Sequence, residues 1–419
     1  MPQTGMNRRA VLQAGILGAG GVAAGLIPWV TGGAVQAADP KPSSLKITKV
    51  ETFALSHKLE RAIGVSVGQL GPTRECLLCK ISTDSGLVGW GETAEVGGTQ
   101  GTIEDHLKGI LIGKNPLEHR KLWPQLWGEN FGDARAVACV DIALQDLRGK
   151  ALGIPISDLY GGRVRDKIMP YAAAMNYTEG VRAEDQFPPE SAALVKAGFR
   201  AMKIRTGRYE NKRDLAILAK IRETVGPDIR LLTDGNAAFT IPQAVKFGKE
   251  LEKLDFYCWE EPIPQGLNYE GYAELTHTLD IAISGGEVLD SRASAKDHIV
   301  KRSFDIIQPD ATLCGGIGEC LFIAELARLY SVQCVPHCWG SALAIAATMQ
   351  VLSLLPAYTQ GATSDGPMLE FDTYENPFRT ELLTTKPFQI VDGQMTIPTG
   401  PGLGVEVNEE IIKKYLVKR

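Results

Sequence analysis

Between positions 230 and 340, five apolar runs each carry a chemically useful side chain at or near their ends. They are RLLTDGN (230–236) with Asp234, FYCWEEP (256–262) with Glu260, IAISGGE (281–287) with Glu287, DIIQPDA (305–311) with Asp310, and VQCVPHCWG (332–340) with His337. They recur about every 25 residues, the length of one strand, one helix and two turns in a parallel (β/α) barrel. Such a barrel keeps its reactive groups at the C-terminal ends of its strands. Five such residues at consecutive strand ends describe one ring around one active-site mouth.

The same alternation extends outward from Met169 to about Leu369. Its helical segments are PESAALVKAG, KRDLAILAKIRETVG, IPQAVKFGKELEKL, SAKDHIVKR, GIGECLFIAELARLY and SALAIAATMQVLSLL. Upstream, KITKVETFAL, ECLLCKIST and LVGWGE read as strands, the last two joined by the turn Asp84-Ser85-Gly86. From Thr102 to Leu152 the period is helical, clearest in ARAVACVDIALQDLRGKALG, and Gly153 and Pro155 end it. Three strands followed by helices make an α+β unit. The expected organisation is a leader at 1–38, an α+β domain at 45–165, a barrel at 166–385 and a C-terminal segment at 386–419. That last segment, from about Phe388, is expected to pack on the first domain, because a closed barrel offers it no edge.

With 44% apolar and 22% charged residues among 419, the chain can bury a large core. The net charge of −5 and the absence of a basic block after the leader exclude nucleic acid and anionic membrane as expected partners. In the leader, Arg8-Arg9 precede an apolar run to Val30, and Val35-Gln36-Ala37 offers a cleavage site. It is similar to a twin-arginine export signal, which implies a periplasmic protein. Gly18, Gly20, Gly21, Gly25 and Pro28 make the run a poor lasting membrane span. Cys76 and Cys79 form a CxxC inside a strand-like run with no second ligand pair, so they read as buried small residues rather than zinc ligands.

Asp234, Glu260 and Glu287 are three hard oxygen ligands on adjacent strands, a set suited to Mg²⁺. Without a cation they would repel one another. Glu261 points away from Glu260 if the strand is regular, yet a swap between the two stays open. Asn236 shares the face of Asp234. Lys203 and Arg205, in GFRAMKIRTG, project to one barrel face, where paired cations suit an anionic substrate. Asp310 ends the strand before His337 and can fix its tautomer and raise its basicity. The other five histidines read as structural. Glu370, in PMLE at the eighth strand, can address the opposite oxygen of a bound carboxylate as an acid donor or through water. Gly315-Gly316-Ile317-Gly318 lacks the spacing of a phosphate loop and reads as a turn.

Taken together, GFRAMKIR, LLTDGN, WEEP, ISGGE, IIQPDA, PHCWGSALAIAA and PMLE, with VGWGE and CVDIALQDLRGKALG, resemble the mandelate racemase subgroup of the enolase superfamily. The resemblance implies a modified TIM barrel, (β/α)7β, with an N-terminal α+β capping domain. It also implies one Mg²⁺ on Asp234, Glu260 and Glu287, a dyad of His337 and Asp310, and Glu370 as electrophilic acid. The implied chemistry is abstraction of the proton α to a carboxylate, with enediolate stabilisation. LEFDTYENPFRTELL and GPGLGVEV look most like members that act on acid sugars and their lactones. The muconate-lactonizing branch fits less well, because it places a lysine where Asp310 stands. The racemase pattern has a second lysine at position 205, where this chain has an arginine that cannot be deprotonated. That favours β-elimination of water from a sugar acid. The alternatives are lactone cycloisomerisation, racemisation or epimerisation with Lys203 on the opposite face, and a non-catalytic binding protein. The expected partners are a small-molecule carboxylate and further copies of the chain in a homo-oligomer. Selectivity is expected to rest on loops at Arg61 to Gly71, Gly97 to Thr102 and Trp127 to Arg135.

Overall fold

Alternation in the first domain becomes an antiparallel meander of β1 (Ile47–Gly64), β2 (Gly71–Thr83) and β3 (Val88–Thr93). The computed structural model describes residues 45–94, 98–128, 132–266, 268–358 and 366–418. The expected leader, the linker after it, Gly97 of one selectivity loop and Glu129, Asn130 and Phe131 of another lie outside them. Along β2, Cys76 and Leu78 face the main core, while Leu77, Cys79 and Ile81 face helix α2 (Ala134–Leu152) on the other side. Cys76 and Cys79 therefore project to opposite faces of one strand and cannot chelate or pair. All eight cysteines are buried free thiols.

VGWGE owes its glycines to the same packing. A Cβ on Gly89 would lie 2.1 Å from the carbonyl oxygen of Ala143, and one on Gly91 1.9 Å from that of Cys139. Only a bare backbone lets α2 sit so close to β3. Helix α1 (His119–Trp127) precedes α2, whose N-cap, Asp133, accepts from the amides of Arg135 and Ala136. Gly153 closes α2 in the left-handed conformation, φ 71°.

The second part is a curled eight-stranded parallel sheet: β4 (Pro170–Ala173), β5 (Ala201–Arg205), β6 (Arg230–Asp234), β7 (Phe256–Glu260), β8 (Ala282–Gly285), β9 (Ile306–Ile307), β10 (Gln333–Cys334) and β11 (Leu369–Asp372). Among the described residues seven helices alternate with the strands: α3 (Ala183–Lys196), α4 (Asn211–Val225), α5 (Ile241–Lys253), α6 (Tyr269–Thr278), α7 (Arg292–Val300), α8 (Ile317–Leu329) and α9 (Ala342–Leu354). The last strand, β11, returns beside β4. This is the modified TIM barrel, (β/α)7β, with an N-terminal α+β domain.

Tyr171, Ala201, Leu232, Cys258, Ile306, Val335 and Met368 fill the interior as one apolar cluster. Side chains two residues further along a strand point the same way, so the next layer up holds Lys203, Asp234, Glu260, Gln308, His337 and Glu370. The tail touches both parts: Leu416 bridges to Leu55 and the Leu403 amide donates to Asp146 at 2.8 Å, while Met395–Thr396 pairs with Lys167–Ile168. Among the described residues no helix is long and apolar enough to cross a membrane.

Candidate active site

Asp234 and Glu260 are the last residues of β6 and β7 and face each other in register. Glu287 follows β8 by two residues, Asp310 and His337 follow β9 and β10 by three, and Glu370 lies inside β11. At the centre stands Lys203, 1% exposed, with Nζ 2.7 Å from Glu260 Oε1, 2.6 Å from Glu370 Oε1 and 3.5 Å from Asp234 Oδ2. Arg205 pairs with Asp234 through Nη1 and donates from Nε to Asn176 Oδ1 at 3.1 Å. Gln308 Nε2 donates to the second oxygen of Glu260 at 2.8 Å.

The two cations meet the carboxylates directly, in the arrangement a ring of buried charges adopts when each must be paired. Burial opposes protonation of Lys203, but Glu260 and Glu370 outweigh it and raise its pKa. Burial likewise opposes ionisation of Glu370, yet Lys203 and His337 hold its pKa below the usual carboxylate value. Glu370 accepts the Cys338 amide at 3.2 Å. Among the described residues no three carboxylate, histidine or cysteine side chains stand close enough together to grip an ion as placed. The donor chemistry nevertheless suits one. Burial, then mutual repulsion, pushes up the carboxyls of Asp234 and Glu287 against the cations around them.

Glu261 departs from expectation. The chain leaves extended geometry there, φ 40°, so Glu261 does not project away from the ring. It is buried, its Oε1 has no hydrogen-bond partner, and burial followed by Glu287, Asp234 and Glu260 pushes its carboxyl up to about 9. A buried carboxyl oxygen without a partner is costly, and a cation held in the ring would serve it and favour its ionised form.

His337 Nδ1 bonds Asp310 Oδ2 at 2.7 Å, leaving Nε2 3.4 Å from Glu287 Oε2 and 3.9 Å from Glu370 Oε2. Burial alone would lower its pKa; Glu287, Glu370 and Asp310 raise it to about 10. Asp310 is fixed in turn, its Oδ1 accepting from the Thr312 amide at 2.6 Å and Thr312 Oγ1 at 2.7 Å. Asn236 supports Asp234 through its backbone, φ 42°, rather than through strand parity: its main-chain amide donates to Oδ1 at 2.8 Å, and its side-chain Oδ1 accepts from the Ser66 amide at 3.1 Å. Ser66, on the loop after β1, brings the first domain to the mouth.

Other histidines are occupied elsewhere: His57 with Glu375, His119 with Asp141, and His298 stacked on Phe304. Gly316 is a tight turn, φ 108°, and the Ile317 amide behind it already donates to Asp141 Oδ2 at 2.9 Å, so no phosphate site forms there. Gln308 and Asn176 were not anticipated. Gln308 shares the parity of Asp310 in IIQPD and was legible on that ground; Asn176 lies in a loop with no periodic signal.

Residues 48–161 match the mandelate racemase / muconate lactonizing enzyme N-terminal domain family, and residues 189–411 the enolase C-terminal domain-like family. The chain is 34% identical to D-galactarolactone cycloisomerase of Agrobacterium fabrum over 88% of its own length and 99% of that protein's. It is 32% identical to D-galactonate dehydratase of Pectobacterium atrosepticum over 88% and 94%. The crystal structure of 3,6-anhydro-D-galactonate cycloisomerase from Zobellia galactanivorans superposes with a TM-score of 0.78 at 33% identity, covering 89% of this chain and all of that one. With both domains matched and the ring in place, this chain belongs to the mandelate racemase subgroup of the enolase superfamily and is an enzyme.

Proposed function

We propose that the enzyme removes the proton α to the carboxylate of a sugar acid and expels the oxygen on the β carbon. If that oxygen is a free hydroxyl, water is lost; if it closes a lactone or ether ring, the ring opens. Both outcomes share one electron flow. The C–H pair becomes the new C=C bond, the C–O pair leaves on oxygen, and the enol product tautomerises to a 2-keto acid. Dehydration is the leading reading, and ring opening is favoured second by the cycloisomerases among the relatives.

The observation that carries this reading is one oriented imidazole, His337, together with an arginine rather than a second lysine at the end of β5. Asp310 holds Nδ1 of His337, so Nε2 is the atom that takes the proton and later returns it to the leaving oxygen. Arg205 cannot accept a proton, and Lys203 is locked between Glu260 and Glu370. Their positive charge suits binding the substrate carboxylate and stabilising the charge that develops on it. Asp234, Glu260 and Glu287 are the residues to hold a divalent cation such as Mg²⁺, and the partnerless Glu261 oxygen supports a cation in this ring. When bound, that cation would acidify the α C–H through the substrate carboxylate and offset the negative charge that keeps His337 protonated. We further propose export to the periplasm on Arg8-Arg9 and assembly as a homo-oligomer.

Incubating the enzyme with Mg²⁺ in D₂O and D-galactonate, arabinonate or D-galactarolactone should yield a 2-keto acid. His337→Asn should lower turnover by about 10² to 10⁴-fold, while Arg205→Lys should retain it. An epimer as sole product would sink the elimination reading and favour Lys203 as a second base.

A further inference from the structure

Two neighbouring residues at the end of β3 reach out of the first domain into the two barrel loops that carry the dyad. Glu92, 2% exposed, accepts the Ser341 amide on Oε1 at 2.6 Å, and on Oε2 the Ser341 hydroxyl and the Ala344 amide, the latter at 2.9 Å. These donors open α9, four and seven residues after His337. Helix N-termini leave amides unsatisfied, and a carboxylate there gains both hydrogen bonds and favourable charge. Thr93, 1% exposed, donates from Oγ1 to the carbonyl of Thr312 at 2.7 Å. Thr312 in turn gives its amide and its hydroxyl to Asp310 Oδ1, leaving Oδ2 for His337. The first domain thus grips the His337 loop with one residue and the Asp310 loop with the next.

We propose that Glu92 and Thr93 are positioning residues that set the His337 and Asp310 side chains in register with each other across the domain boundary. Neither is placed to touch substrate; each acts through a buried neighbour, Ser341 for Glu92 and Thr312 for Thr93. The alignment is built into the sheet, because adjacent residues on β3 point to opposite sides and so reach two different loops. The inference rests on the acid–base role given above to His337, while the geometry it invokes does not depend on which sugar acid is used. Displacement of a reacting group by about 1 Å can cost up to 10²-fold in rate, so a loosened dyad should show in turnover before it shows in folding.

The test uses Thr93→Val, which keeps shape and removes the donor, Thr93→Ser, which restores it, and Glu92→Gln, which weakens the second grip independently. In full-length enzyme with isotopically labelled histidine, the Nδ1–H signal of His337 is assigned by its loss in His337→Asn. Thr93→Val and Glu92→Gln should shift that signal or speed its exchange with water, and lower kcat about tenfold with KM unchanged; Thr93→Ser should restore both. A signal unmoved in whichever of the two variants folds overturns the inference. A moved signal in enzyme that converts no sugar acid keeps the inference and removes the functional reading instead.

Discussion

Glu92→Gln should also change how the stability of the enzyme responds to pH. Burial holds the Glu92 carboxyl at about 7 in the folded chain against an ordinary 4.5, with hydrogen bonds from Ser341 and Ala344 offsetting part of the cost and Asp310 adding to it. Cys76, Cys139 and Cys338 are its other titratable neighbours. Below about pH 4.5 the group is protonated in both states and contributes no pH dependence. Between about 4.5 and 7 the unfolded chain has released this proton while the folded chain keeps it, so stability falls as pH rises. Above about 7 the loss levels off. At about 1.4 kcal/mol per pH unit, the loss amounts to roughly 3 kcal/mol. Urea unfolding of wild type and Glu92→Gln at about pH 4.5 and about pH 8 isolates this contribution, because every other buried acid is common to both proteins. Glutamine resembles the protonated carboxyl, so the stability difference between the two proteins should move in the variant's favour by about 3 kcal/mol from low to high pH. Parallel pH profiles for the two proteins would show that Glu92 is not the group that titrates.

Three further outcomes are expected. Glu260→Gln should abolish turnover while leaving the fold, and wild type should lose activity in excess EDTA; full activity in EDTA would remove the cation from the mechanism. Gly91→Ala places a Cβ 1.9 Å from the carbonyl oxygen of Cys139, so it should destabilise by about 1 to 3 kcal/mol or more in a denaturation curve, since neither backbone can yield cheaply. Changing Arg8 and Arg9 together to lysine should retain the precursor in the cytoplasm, as followed by fractionation; normal periplasmic yield would refute the export proposal.

Sequence by itself determined the barrel and most of its ring. Strand parity is strict: once Leu232, Cys258 and Val335 are taken as interior, Asp234, Glu260 and His337 must point up the same axis. The same rule separates Cys76 from Cys79 and would have exposed Gln308. What parity cannot foresee is where it lapses and what meets across distance. Glu261 joins the ring because the backbone turns at φ 40° immediately after the strand, a local choice that no periodicity encodes. Lys203 sits between Glu260 and Glu370, 57 and 167 positions away, because barrel closure brings β11 beside β4. The grip of Glu92 and Thr93 on the dyad loops spans more than 200 residues. Such contacts are set by the docking of one domain on another, where long-range packing rather than local pattern decides which buried charge finds which partner.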